Sequence, residues 1–299
     1  MRADAKTIGG TAVDLPSRLL GPSRLRRPRI RLQLRNFRFD FFGAAGIILL
    51  ALLWWGLTFI VPPSSLPTPQ AVFQRIVDDF IVADMLGYYG LPDTGLLGSM
   101  VYTASNVLIA VVIGGVIGTV LGLLTARVAL ARAIADPILN TVGTIPILVM
   151  APFFLIWFGT GRWSAVLLIT VYVVVILYLF GQRAAENLDP VYENYARTFG
   201  AGTRDTLRDV FIPGTLPQVL GGIRIALAGA WGLEAIAELL GAQQGIGKII
   251  EVLSGSLDVE GIFAALLTLG IVAVMTDMIA ALLVGSVTRW STASRTGSP

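Results

Sequence analysis

Three acidic residues sit inside long apolar stretches: Glu234 and Glu238, one helical turn apart, and Asp277. A carboxylate at mid-bilayer costs about 2.5–3.5 kcal/mol on insertion scales, so each must face water or a partner. Two readings meet that demand. The acids line a wet route through the membrane together with Arg224, or each is hydrogen-bonded or paired inside the bundle, with Arg224 as an available cation. Acids on facing helices are also the minimum equipment of an intramembrane, acid-dependent hydrolase, but no motif accompanies them here. Composition removes other chemistries. With no His there is no Ser–His arrangement and no imidazole ligand. With no Cys there is neither a disulfide nor a thiolate metal site. No catalytic residue, metal or cofactor is expected. The nearest resemblance to a phosphate loop, Gly241 to Ile249, has the wrong glycine spacing and no Ser or Thr after Lys248. Any ATP must therefore be bound by another chain.

The elements that position these acids are membrane helices. Of 299 residues, 55% are hydrophobic and 14% charged, against about 25% charged in a soluble domain; the mean hydropathy is +0.77. The fold class is all-α, a polytopic membrane protein with about six spans near 41–62, 98–126, 136–157, 163–182, 216–241 and 262–287. Pro62 and Pro63 end the first. Pro146 and Pro152 interrupt the third, where they open backbone groups toward a cavity or simply kink the helix. Gly114, Gly118 and Gly122 recur every fourth residue, which lets helix backbones approach closely, within one subunit or between two. Gly222, Ala226 and Ala230 repeat the device and lead to Glu234 and Glu238. Segment 63–97 carries a short amphipathic helix starting at Thr68-Pro69, with Val72, Phe73, Ile76, Val77 and Phe80 on one side, laid along the membrane surface.

Charge sets the orientation. Residues 1–40 hold ten Lys and Arg against three Asp, a net +7, so the rest of the chain carries −4. A basic tail just before an apolar span is a positive-inside determinant that attracts anionic lipid, which is preferred here over nucleic-acid binding. With the N-terminus in the cytoplasm, 18 of the 22 basic residues fall on the inner side and only Arg75, Arg162 and Lys248 on the outer. This divides the chain into a basic, disordered cytoplasmic tail (1–40), a first span (41–62), an external segment (63–97), a five-helix core (98–287) and a cytoplasmic C-terminal tail (288–299). The polar loop 189–213 within the core is then cytoplasmic.

That loop, DPVYENYARTFGAGTRDTLRDVFIP, carries two short amphipathic helices. Asp189 is an N-cap with Pro190 at the first helical position. Tyr192, Tyr195, Ala196 and Phe199 fall on one face, and Gly200 stands where a helix end needs a left-handed residue. Leu207, Val210 and Phe211 repeat the apolar spacing until Pro213, which is expected to stop the second helix. A helix–Gly–helix knob with an aromatic face is a docking device.

The loop resembles the EAA loop of ABC importer membrane subunits, whose pattern is Glu-Ala-Ala, three residues, Gly, nine residues, Ile-x-Leu-Pro. The frame falls on Asn194-Tyr195-Ala196, Gly200 and Val210-Phe211-Ile212-Pro213, with Asn194 and Tyr195 departing from Glu-Ala. The similarity covers roughly residues 65–285. The segments 66–73, 136–161 and 221–240 look like the nitrate, sulfonate and taurine branch of these permeases. The resemblance implies a permease of the bacterial inner membrane with the ABC importer permease fold. Two copies would form the pore as a homodimer, an ABC ATPase subunit would bind ATP below each, and an extracytoplasmic solute-binding protein would deliver the cargo. It further implies that Asn194, Tyr195, Ala196, Phe199, Gly200, Ala201, Leu207 and Pro213 couple to the ATPase. The expected cargo is a small organic anion, an aliphatic sulfonate or taurine, or nitrate. A neutral heterocycle remains open. An ion-coupled secondary transporter is the alternative, although the inverted repeats common in that class are not evident here.

Overall fold

The computed structural model describes residues 41–91 and 94–293; the basic tail 1–40 and the end of the C-terminal tail, 294–299, lie outside the described residues. The chain divides into a unit up to Ile48 and a unit from Leu49 onward. The described part of the first unit is the start of an apolar helix, α1 (Phe41–Leu57), none of whose residues is buried. The second unit contains all the other helices.

Every regular element among the described residues is helical. α2 (Pro69–Asp78) starts where Thr68 Oγ1 accepts the Ala71 N–H at 3.2 Å, and α3 (Asp84–Tyr88) comes next. The long α4 (Gly95–Arg127) leads into α5 (Ala129–Thr144) and α6 (Ile147–Phe158), then α7 (Arg162–Glu186). α8 (Pro190–Thr198) and the single turn α9 (Thr203–Asp205) precede α10 (Ile212–Gly241). α11 (Ile246–Gly255), α12 (Val259–Val287) and α13 (Arg289–Ala293) are the last helices among the described residues.

Four helical stretches, α4, α7, α9 through α10, and α12, are long and apolar enough to cross a membrane, and the pair α5–α6 makes a fifth if it counts as one span. α1, at 17 residues, is a shorter apolar helix. The third expected span is therefore a broken one. α5 and α6 meet at 99°. Pro146 disfavours helical geometry at the residue before it, and Ile145 is extended (φ −76°, ψ 125°), so the helix ends there and restarts in a new direction. Pro152 lies inside α6.

α4, α7 and α10 form the packed centre. Helices in lipid gain little from burying apolar surface against one another, so their association depends on close van der Waals contact. The glycine stripe supplies it within the subunit. A Cβ on Gly114, Gly118 or Gly122 would stand 2.8, 2.5 or 2.4 Å from the carbonyl oxygens of Thr170, Val174 and Tyr178 on α7. On α10, Gly222 makes room for the Phe180 ring in the same way. Val107, Ile169, Val173, Leu177, Ala226 and Ala230 fill the space between these contacts and are buried.

The apolar residues of α2 share one broad side, part of which packs on the core and part of which is exposed. Val72 is buried and Ile76 packs on the core, whereas Phe73 and Val77 are exposed. Both pairs are spaced i, i+4, so one row faces the core and the adjacent row, about 100° round the helix, lies at the edge of the same apolar side. Arg75 pins the helix by bonding Asp79 at 2.5 Å and Asp258 at 2.9 Å. Asp258 in turn caps α12 by accepting the Gly261 N–H at 3.0 Å.

Candidate functional site

The loop between α7 and α10 is built from local signals. Asp189 Oδ1 accepts the Val191 N–H at 2.9 Å with Pro190 at the first helical position, and α8 begins there. α8 ends in a Schellman turn: Ala201 N–H donates to Ala196 O at 3.2 Å and Gly200 N–H to Arg197 O at 2.9 Å. Gly200 has φ +83°, while a Cβ there would meet nothing within 4 Å. Glycine is required at this point by backbone conformation and not by space. Gly202 N–H then donates to Asp205 Oδ2 at 3.1 Å to start the next turn.

The second short helix does not stop at Pro213. Chain from Thr206 to Phe211 forms a π-helical turn, with the Ile212 N–H bonded to Leu207 O, and runs without a break into α10. Proline normally disrupts a helix by its ring and by the missing N–H. Here it sits in the first turn of α10, directly after wider winding that gives the ring room.

One face of the loop is anchored and the other is bare. Arg127, the last residue of α4, donates from Nη1 to Glu193 Oε2 at 3.0 Å and pairs through Nη2 with Oε1. Its guanidinium carbon also lies 3.9 Å from the centre of the buried Phe211 ring. On the opposite face Tyr192, Tyr195 and Phe199 are 62%, 65% and 75% exposed, with Tyr195 and Phe199 edge-to-face at 4.9 Å. Asn194 and Leu207 are exposed, Ala196, Ala201 and Pro213 half-buried. A groove of about 1190 Å³ opens beside them, lined by Tyr192, Tyr195, Val210, Pro213, Pro217 and Trp290.

The membrane acids fall into two separate clusters. Glu234 and Glu238 are fully buried, with no exposed surface. Glu238 accepts from Thr103 Oγ1 at 2.8 Å and from the Gly247 N–H at 2.9 Å; Thr103 Oγ1 in turn accepts the Ile246 N–H at 3.0 Å. Glu234 Oε1 accepts from Asn106 Nδ2 at 2.7 Å, and its Oε2 has no hydrogen-bond partner. Asn106 Oδ1 accepts from Arg162 Nε at 2.5 Å. Gly245, at φ +108°, closes the chain over Glu238, and a Cβ there would stand 2.2 Å from the carboxyl carbon. Asp277 is elsewhere, in a two-bond pair with Arg224 at 3.0 and 2.7 Å, both side chains 39% exposed. The acids that a hydrolytic dyad would need on facing helices are thus not together.

Sequence reasoning did not single out Thr103, Asn106, Arg127 or Arg162 as partners. Asn106 inside a long apolar run was the one available signal, since an amide there needs a partner for the same reason as a carboxylate.

Comparison with known proteins agrees with this architecture. Residues 114–289 match the family described as binding-protein-dependent transport system inner membrane component. The chain is 25% identical over 234 residues to the taurine transport system permease protein TauC of Escherichia coli, covering 78% of this chain and 83% of that one. It is 29% identical over 232 residues to the formylaminopyrimidine transport permease protein ThiX of Halalkalibacterium halodurans, covering 76% and 87%. Among solved structures, the inward-facing MetNI methionine ABC transporter shares the fold, with a TM-score of 0.57 at 24% identity over 64% of this chain and 96% of that one.

Proposed function

The chain belongs to the family of inner-membrane components of binding-protein-dependent transport systems, and on that premise we propose how its parts divide the work of import. It is a permease subunit of an ABC importer, a membrane protein and not an enzyme. The loop 189–213 is its coupling element. Tyr195, Ala196, Phe199, Gly200, Ala201 and Leu207 dock in a cleft of an ATPase subunit, with Asn194 and Pro213 at the edges of the contact. Closure of the ATPases on ATP drives α8, and the anchored loop passes the motion to the bundle. The observation that carries this reading is the bare aromatic face of α8 set on a fixed base: three rings more than 60% exposed on one side, the Arg127–Glu193 pair on the other.

The distribution of basic residues supports a cytoplasmic N-terminus and a cytoplasmic coupling loop. A second copy completes the pore, and the exposed apolar residues of α5 and α6, among them Ile134, Ile138, Phe153 and Ile156, offer it a surface. Glu234 and Glu238 brace the protomer around Thr103 and Asn106, while Arg224 and Asp277 sit as a partly exposed pair between α10 and α12, closer to any route. The bend at Pro146 and the proline of α6, Pro152, shape a different stretch of the bundle, where α6 packs on α10 at Ala237. The cargo is a small organic anion, with sulfonates such as taurine placed ahead of nitrate; TauC, named for taurine, supports that order, and ThiX, named for a pyrimidine, keeps a neutral heterocycle in view.

The deciding experiment is purification of the tagged protein from its native membrane in mild detergent, with ATP hydrolysis assayed on the eluate. A co-purifying ATPase that is lost in Gly200→Asp establishes the coupling reading. A lone chain without ATPase activity overturns it.

A further inference from the structure

At the end of α4 and α7 remote from the coupling loop, three basic residues are present among the described residues, and two are neutralised. Arg75 is bonded to Asp79 and Asp258, and Lys248 to Glu251 at 2.6 Å. Arg162 has no carboxylate within 4.0 Å among the described residues. Its Nε donates to Asn106 Oδ1, its Nη2 to Ser105 Oγ, and the Tyr102 ring lies 4.8 Å beneath its guanidinium carbon. These contacts hold the head group in place and leave Nη1 for a ligand. Beside it opens a pocket of about 430 Å³, lined by Thr94, Ser99, Tyr102, Ser105, Arg162 and Gln244. That volume is in the range of small-molecule sites, roughly 300–1,000 Å³. The wall offers hydroxyl and amide groups around the Arg162 guanidinium, the one formally charged side chain among the residues that line the pocket.

We propose that this pocket is an oxyanion site, taking a sulfonate, carboxylate or phosphate group on the Arg162 guanidinium. A guanidinium presents its donors in a planar fork that matches such groups, and a pre-positioned one gives up little side-chain entropy on binding. The buried Glu234 lies behind Asn106 and Glu238 behind Thr103, and neither lines the pocket. Two sources fit the chemistry: the cargo anion, or the phosphate of a bilayer lipid. Assignment to cargo rests on the importer reading given above. The oxyanion site itself does not.

The test uses the full chain without ATPase, in nanodiscs of phosphatidylcholine alone, so that failure of the coupling reading has no bearing on it. Binding of radiolabelled ethanesulfonate is compared with that of its neutral counterpart, ethanesulfonamide, and Arg162→Gln is compared with the wild type. Arg162→Gln keeps an amide donor for Asn106, and binding is expected to weaken about tenfold or more, the loss of one hydrogen-bonded charge. Arg162→Lys, which keeps the charge without the fork, should fall between the two. Ethanesulfonate binding that depends on Arg162 and excludes the sulfonamide identifies the cargo class. Absence of that binding, with phosphatidylglycerol retained by the wild type through purification and lost in Arg162→Gln, identifies a lipid phosphate. Equal binding of the neutral probe, or no difference in either anion between wild type and variant, overturns the proposal. If Arg162→Gln does not fold, the preference of the wild type for the charged probe still decides.

Discussion

Arg127 at the end of α4 forms a two-pronged ion pair with Glu193 on α8, 66 residues further along the chain. The pair fixes which side of α8 faces the bundle and leaves Tyr192, Tyr195 and Phe199 on the other. A cation at the last residue of a helix is also favoured by the helix dipole.

Removing that anchor should uncouple transport before it unfolds the protein. The pair is partly exposed and the guanidinium also covers the Phe211 ring, so Arg127→Ala should cost about 1–2 kcal/mol of stability, both contacts together. Uptake in reconstituted vesicles should nevertheless fall severalfold, and the exchanged pair Arg127→Glu with Glu193→Arg should recover part of it. Unchanged uptake in the single variant would show that α8 needs no anchor.

At Gly200 the size and the charge of a substituent should act differently. A Cβ meets open space but opposes φ +83°, so Gly200→Ala should cost about 1–2 kcal/mol locally and leave membrane levels unchanged. Gly200→Asp adds a charge at the tip of the docking face and should abolish ATPase retention on purification. Full retention of ATPase by Gly200→Asp would sink the docking model.

Gly118 on α4 makes a prediction about folding alone. Its Cβ would come within 2.5 Å of Val174 O, and backbone cannot move aside as a flexible side chain does. Gly118→Ala should lower stability by about 1–3 kcal/mol, the usual range for overpacking, read as a drop in thermal midpoint in detergent. A midpoint equal to the wild type would mean that α4 and α7 are not packed through this stripe.

The pair Arg224–Asp277 and the buried Glu238 separate two kinds of membrane charge. Asp277→Ala leaves Arg224 without its partner and should lower the thermal midpoint, and the double change Arg224→Leu with Asp277→Leu should regain most of the loss. A double variant no more stable than Asp277→Ala would show the pair to be inert. Glu238→Gln keeps one oxygen for the Gly247 N–H and the Thr103 hydroxyl but sets an NH2 in place of the other against Thr103 Oγ1, so it should lower the thermal midpoint. Altered transport with an unchanged midpoint would instead place Glu238 on the translocation route.

How much of the fold and the site was legible depended on distance along the chain. The cap at Asp189, the first-turn Pro190 and the left-handed Gly200 are decided by neighbours, and their residue types announce them. The glycine stripe announced a close approach, but α7 as its partner is a matter of tertiary packing. Pro213 read as a stop because proline usually breaks helices; a preceding π turn that absorbs it leaves no local signature. Likewise Pro146 announced a break in the third span but not its 99° angle. The cost of Glu234 and Glu238 in lipid is set by their type. Their partners Asn106 and Thr103 stand 128 and 135 residues away, beyond the reach of any spacing rule.

The backbone contact between α4 and α7 has a mechanical consequence. Where Gly118 and Gly122 touch carbonyl oxygens there is no side chain to shear, so the two helices behave as one stiff beam. α4 is about 50 Å long for its 33 residues, with Arg127 at one end and the Arg162 pocket near the other. A tilt of about 5° applied at the Arg127 end would move the far end by about 4 Å. On the coupling role proposed above, a small stroke at loop 189–213 would be geared, by length alone, into a displacement wider than a water molecule at the opposite end of α4.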